Sequence, residues 1–273
     1  MKLKKILSYY YRRAFPRKAK VVAVQVGGQS LFVYEGSLGK TDKDDAWFHA
    51  LARQHSVVYD VGANVGHTAM LACLHQRDKT MVLIDPNPEA LRAAADNLAR
   101  NKMMDNKTFI AAFAGNTSGE QQKFYTVGTG AAGSMYATHA ETAAAVGAHS
   151  MVDTLTIDDI ILQTQHTPTL VKIDVEGAEA LALQGATQLA AQQQAVFMVE
   201  MHAPPELPMV VNAQRILNWC GDNGYTAWYM SQHTQLTDAQ QLASRGRCHL
   251  LLLPTNMLYP AALLPIDEGD EIK

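Results

Sequence analysis

The sequence predicts an α/β chain built on a mostly parallel, doubly wound sheet. Seven short apolar runs recur along it, at 56–60, 80–85, 107–112, 169–174, 195–201, 225–230 and 248–254. Alanine- and leucine-rich stretches with helical character, at 67–76, 88–101 and 178–192, separate several of these runs. A glycine turn follows the first run directly. Strands buried on both faces read as continuous apolar runs, and helices between them impose parallel crossovers.

The elements follow in order. Residues 1–20 hold eight basic side chains and no acid, with Ile6, Leu7, Tyr9, Tyr10, Tyr11 and Phe15 among them. This pattern predicts a basic leader helix that either packs on the domain or makes peripheral contact with an anionic membrane or an acidic partner. Residues 21–44 form an extension in which 21–26 and 31–34 flank Gly27-Gly28-Gln29-Ser30, the pattern of a β-hairpin. The main domain spans 45–260, and 261–273 is a C-terminal tail. The last two runs are joined by about 17 residues without a clear helix. A hairpin is therefore expected there, with one antiparallel strand at the sheet edge. The connection 113–168 is far longer than a crossover needs. It is read as a substrate insert, with Tyr125, Ser134, Tyr136 and His139 framing an acceptor site.

Composition narrows the class. Net charge is −3, so the basic leader leaves −11 on the remaining 253 residues. Such a body is no nucleic-acid surface. Cys73, Cys220 and Cys248 are odd in number, lie in apolar stretches and form no CxxC pair. They read as buried reduced thiols of a cytoplasmic protein. No run is long enough to span a membrane, and the basic start lacks the apolar core of a secretory signal.

The first turn reads Asp60-Val61-Gly62-Ala63-Asn64-Val65-Gly66. Gly62 and Gly66 allow a tight bend and close approach of a ligand or helix. The following helix start is expected to offer free backbone N–H groups. A dinucleotide turn prefers G-x-G-x-x-G, whereas the spacing here is G-x-x-x-G with an acid before it. An acid repels pyrophosphate and suits the ammonium of a methionine moiety. Asp85, followed by Pro86, ends the next run beside this turn, where a carboxylate can hold two ribose hydroxyls. Together these point to S-adenosylmethionine (SAM).

A second constellation lies downstream. In Val171-Lys172-Ile173-Asp174-Val175-Glu176-Gly177-Ala178-Glu179, Lys172 and Asp174 share a face by alternation. Glu200 and His202 share a face in the next run. A lysine inside an apolar strand requires a partner, and Glu200 is the expected one. Glu179 reads as an acid at a helix start.

With these motifs in order, the sequence resembles the FkbM family of SAM-dependent methyltransferases over roughly residues 55–255. Residues 171–179 are the most specific element, and 152–160 resemble the family's lead-in. The resemblance implies a class I methyltransferase, Rossmann-like fold: a seven-stranded sheet with the final strand inserted antiparallel. It implies O-methylation, often of sugars, glycans or natural products. It assigns Asp60, Gly62, Ala63, Asn64 and Gly66 to the methionine part and Asp85-Pro86 to the ribose. Ala112 and Phe113 border the adenine. A hydroxyl needs a base; Asp174 and His202 are candidates, with Glu176, Glu200 and Lys172 beside them, and His202 is expected to titrate near neutrality. A divalent ion on Asp174, Glu200 and His202 is a minority alternative. Two rival readings stand: an NAD(P)-dependent oxidoreductase and a non-catalytic scaffold.

Overall fold

The computed structural model describes residues 20–39, 43–126, 134–136 and 148–272. Apart from Lys20, the predicted leader helix lies outside the described residues, as do His139 and the glycine-rich part of the insert. The hairpin forms where expected: β1 (Val21–Val26) and β2 (Gln29–Tyr34) pair antiparallel around Gly27-Gly28. Next come α1 (Asp45–Ala52), β3 (Val57–Val61), α2 (His67–Ala72), β4 (Thr80–Ile84), α3 (Pro88–Arg100) and β5 (Lys107–Ile110). The insert supplies β6 (Phe113–Ala114), β7 (Gln121–Tyr125), β8 (His149–Leu155) and α4 (Ile157–Thr164). Then follow β9 (Leu170–Ile173), α5 (Glu179–Gln184), α6 (Thr187–Ala191), β10 (Val196–Glu200) and α7 (Met209–Asn223). The chain closes with β11 (Tyr225–Tyr229), β12 (Thr234–Leu236), α8 (Ala239–Ala243) and β13 (His249–Pro254). A 3-10 turn, Ala261–Leu263, lies in the tail.

The main sheet has eight strands in the order β12-β11-β13-β10-β9-β3-β4-β5. The final strand β13 is inserted antiparallel, as the resemblance implies, pairing with β10 on one side and β11 on the other. The antiparallel strand at the sheet edge is β12, paired with β11; it comes from the link between β11 and β13 and raises the count from the expected seven strands to eight. Three residues are too few to show alternation, so β12 and the five-residue α8 leave no periodic signal. Without β12, the order is the class I methyltransferase arrangement.

Alternation sorts the core into two layers. Tyr59, Val61, Val171, Ile173, Phe197 and Val199 pack under the α5–α7 side. Val58, Met81, Leu83, Leu170, Val196 and Met198 pack under α1, α2 and α3. Burying each such side chain contributes about 1.5–3 kcal/mol. Helix α7 locks on through Trp219, whose ring sits 5.2 Å from Phe197 and 5.3 Å from Tyr225. Asn97 of α3 and Asn101, which caps its C-terminus, cover the edge of the hairpin: their Oδ1 atoms accept the Tyr34 and Phe32 N–H groups at 2.9 and 2.8 Å. The tail folds back on α1, where Trp47 Nε1 donates to Ile266 O at 2.9 Å. The three cysteines are buried and free, and burial raises all three thiol pKa values, to about 12 for Cys220 and Cys248.

In the insert, β8 pairs parallel with β6 and antiparallel with β7. Ser134 Oγ donates to Glu176 O at 3.2 Å. A Cβ on Gly177 would lie 3.0 Å from the Tyr136 ring and 2.8 Å from Pro204. The insert is thus seated on the loop that follows β9.

Candidate active site

The carboxyl ends of the central strands open into a cavity of 990 Å³. Asp60, Asp85, Lys172, Asp174, Glu200 and His249 have the same parity as the core residues on the α1 side. Alternation therefore sets a polar row on one face, continuing an apolar one.

The first turn is closed by its own backbone. Gly62 N and Ala63 N donate to Ile84 O at 2.8 and 3.1 Å, and Gly66 N donates to Ala63 O at 2.9 Å. Asn64 N donates to Asp85 Oδ2 at 2.9 Å. These four amides, all ahead of the helix that begins at His67, are engaged within the protein. Gly62 has φ +90°, and a Cβ on it would lie 1.9 Å from Asp174 O. Gly66 has φ +83°, and its Cβ would meet Ala94 Cβ at 2.9 Å. The two glycines serve the closure of β9 on the turn and the approach of α3.

Gly62, Ala63 and Asn64 line the cavity from this turn, Asp85 and Pro86 from the end of β4. Ala112 and Phe113 line it from the start of the insert. Gly66 lies behind the wall. So does Asp60, fully buried, with the Thr68 hydroxyl donating to its Oδ2. Burial raises the Asp60 pKa, offset only in part by Lys172 and Thr68. Asp85 takes Asn87 N–H on Oδ1 at 2.8 Å, besides Asn64 on Oδ2. Burial nevertheless lifts its pKa to about 6.

The second constellation comes together with different partners. Lys172 Nζ donates to Asp174 Oδ2 at 3.0 Å, so the expected Lys172–Glu200 pair is replaced by a pair along one strand. Across the ladder Lys172 faces Met198, one pleat short of Glu200. Glu200 Oε1 is taken instead by the Arg247 guanidinium. Burial opposes charge on Lys172, but Asp174, Asp44, Asp60 and Glu200 outweigh it and hold its pKa above the ordinary value. Burial likewise opposes ionisation of Glu200, yet His249, Arg247 and Lys172 keep its carboxyl well below the usual range.

His202 does not line the cavity and is 3% exposed. Its Nδ1 lies 2.9 Å from Glu179 Oε1. Its Nε2 faces Glu176 Oε2 at 3.6 Å, Glu200 Oε1 at 3.7 Å and Asp174 Oδ1 at 3.9 Å. Burial lowers the pKa, but Glu179, Asp174 and Glu176 together raise it to about 9. His202 is therefore an imidazolium at neutral pH, which corrects the expectation that it titrates there. Asp174, Glu200 and His202 do come within 4.8 Å of one another, as the metal alternative requires.

Sequence reasoning passed over several members of this network. Glu179, read as a helix-start acid, is fully buried and also binds Gly177 N and Asn212 Nδ2. Asp44, Arg247 and His249 line the cavity as well. Only the insertion of β13 beside β10 brings Arg247 and His249 to Glu200, and no local spacing signals it.

Sheet order, glycine turn and polar row define a class I methyltransferase-type α/β domain. Residues 60–227, more than half of the chain, match the model of the methyltransferase FkbM domain. The chain belongs to that family. No curated protein matches it significantly. Similar solved structures include methyltransferase FkbM from Methylobacillus flagellatus KT, at 18% identity and a TM-score of 0.47, covering 72% of this chain and 43% of that one. The chain thus spans less than half the length of that protein. Cofactor-bound Rv0187 from MTB shares 17% identity with a TM-score of 0.47, covering 94% and 90% of the two chains. The O-methyltransferase TomG from Streptomyces achromogenes, involved in tomaymycin synthesis and in complex with SAM, shares 12% with a TM-score of 0.46, covering 93% and 99%.

Proposed function

We propose that the chain uses SAM to methylate a hydroxyl on a sugar, glycan or natural product. The observation that carries this reading is one cavity shared by Asn64 and Asp85 at the first two strand ends and Asp174 at the fourth. The residues fit the cofactor. Asp60 Oδ1 is buried and, among the described residues, has no hydrogen-bond partner, so an unused acceptor stands behind the turn where an ammonium belongs. On this reading the turn with Asn64 holds the methionine part, Asp85 the ribose hydroxyls, and Ala112 with Phe113 the adenine. When bound, SAM supplies an electrophilic methyl group.

The chain's own residues do the rest. A hydroxyl is a weak nucleophile until its proton leaves, and Asp174, at the cavity wall, takes that proton. Lys172 positions the Asp174 carboxylate. His202, already protonated, cannot serve as the base and instead holds the surrounding carboxylates in place. Glu176, in the left-handed region at φ +53°, stands beside Asp174, and the insert seated on its carbonyl limits water entry. The basic segment 1–20 favours an acceptor handled at an anionic surface. Among the described residues no helix is long and apolar enough to cross a membrane.

The test is calorimetry with S-adenosylhomocysteine and, separately, NAD, followed by transfer of labelled methyl from SAM to a panel of hydroxylated glycans and metabolites. Binding of the homocysteine and labelling of a hydroxyl are expected. Binding of NAD alone overturns the reading in favour of an oxidoreductase, and cofactor binding without transfer favours a scaffold.

A further inference from the structure

We propose that Asp44, Glu200 and His249 form a binding site for one divalent first-row cation of the Mn²⁺ or Zn²⁺ type. One ligand atom from each lies within 4.8 Å of the others, and all three residues are buried. His249 Nε2 stands 3.6 Å from Glu200 Oε2 and 3.7 Å from Asp44 Oδ2. Those separations are too long for hydrogen bonds. They suit ligands sharing one ion, since two atoms each about 2.1 Å from a tetrahedral centre lie roughly 3.4 Å apart.

His249 supplies the independent observation. It is 8% exposed, and among the described residues its Nε2 has no hydrogen-bond partner. A buried imidazole nitrogen aimed between two carboxylates needs a proton or a metal to hold it there. Asp44 points the same way. It occupies the N-cap of α1, where an aspartate ordinarily accepts an amide of the first turn, yet its side chain makes no capping bond. The carboxylate instead lines the cavity.

The frame around the trio is rigid. Glu200 and His249 are direct cross-strand partners on β10 and β13, so the ladder holds both side chains on one face. Arg247 on Glu200 Oε1 orients the carboxylate so that Oε2 turns to His249. The Trp47 ring stands edge-on to His249 at 6.0 Å between centroids. One imidazole and two carboxylates, with no thiolate, favour Mn²⁺ or Zn²⁺ over Cu⁺. The overlapping trio of Asp174, Glu200 and His202 is less suited, because the Lys172 ammonium already answers Asp174 at 3.0 Å.

The site stands on these residues alone and does not require the methyl-transfer reading. The test is calorimetric titration of the chelator-stripped full chain with MnCl₂ and with ZnCl₂, without SAM or acceptor, and with circular dichroism as a fold control. Saturable binding of one ion is expected. Asp44→Asn and His249→Gln should each weaken it about 10-fold or more, while His75→Gln, at an exposed histidine outside the cavity, should leave it unchanged. Should His249→Gln fail to fold, the near-isosteric Asp44→Asn decides. Absence of saturable binding at millimolar metal, binding indifferent to Asp44→Asn, or an equal loss in His75→Gln overturns the proposal. Because no cofactor is present, this failure is distinct from failure of methyl transfer.

Discussion

His202 Nδ1 lies 2.9 Å from Oε1 of Glu179, a carboxylate with no exposed surface. The same carboxylate accepts Gly177 N–H at 2.8 Å and Asn212 Nδ2 at 2.9 Å, and Asn212 also donates to His202 O. One buried charge therefore ties the loop after β9, the end of β10 and helix α7 together. The position of Asp174 and Glu176 depends on that tie.

Glu179→Ala should accordingly be among the most destabilising single changes. It strands an imidazolium and two donors in the interior, and breaking a buried ion pair costs about 3–5 kcal/mol. Glu179→Gln keeps the shape and part of the bonding and should cost less. Urea unfolding of the two variants gives the comparison. A loss below about 1 kcal/mol in Glu179→Ala, the size of one ordinary hydrogen bond, would show that the network does not hold the loop.

Gly62→Ala should be nearly as damaging for a different reason. The new Cβ would meet Asp174 O at 1.9 Å, and φ +90° disfavours any side chain. Strain and overpacking together should cost about 3 kcal/mol or more. Gly28→Ala, at φ +71° with nothing within 4 Å, isolates the backbone part and should cost only about 1–2 kcal/mol. Equal losses in the two variants would mean that the close approach of β9 to the turn is not what Gly62 permits.

These two residues show what the sequence made legible. The turn and the strand ends were readable because glycine spacing and apolar runs are local. Asp60, Asp85 and Asp174 could be set at strand ends from the limits of the apolar runs, and Lys172 on the face of Asp174 from alternation. Their partners could not be read. Lys172 faces Met198 across the ladder, two residues short of Glu200, so its pair with Asp174 depends on a register that apolar runs do not specify. Arg247 and His249 reach Glu200 only because β13 inserts beside β10. Helix α7 went unread although Ala213, Ile216, Trp219 and Cys220 recur on one buried face. Its polar face carries enough Asn and Gln to mask that period.

Asp174→Asn separates chemistry from cofactor binding. The amide keeps the size of the side chain and removes the proposed base. Turnover with an acceptor found in the panel should fall by about 10²–10⁴-fold, with the Kd for S-adenosylhomocysteine within about 3-fold of the parent. Rapid-quench kinetics and calorimetry on the same preparation supply both values. Unchanged turnover would remove Asp174 as the base and return attention to Glu176.

If Asp85 holds the ribose as proposed, cofactor affinity should depend on pH. Burial lifts its pKa from 3.8 to about 6, against the pull of the Asn87 and Asn64 amides. Above that pH the carboxylate is ionised and can accept two ribose hydroxyls; as pH falls through it, the acceptor is lost. The Kd for S-adenosylhomocysteine should be flat from about pH 8 to 7 and rise below about pH 6, by up to roughly 10–100-fold for a charged hydrogen bond lost. Stability moves the other way. A carboxyl whose folded pKa exceeds its unfolded one takes up its proton on folding, so its contribution to stability grows as pH drops from above 6 toward 4. Weaker binding between these values therefore cannot be ascribed to unfolding driven by this group. Calorimetry across about pH 5 to 8, with thermal melts alongside, reads both trends. Asp85→Asn should bind weakly at every pH and lose the inflection. A wild-type affinity that stays level down to about pH 5 would mean that Asp85 does not hold the cofactor in its ionised form.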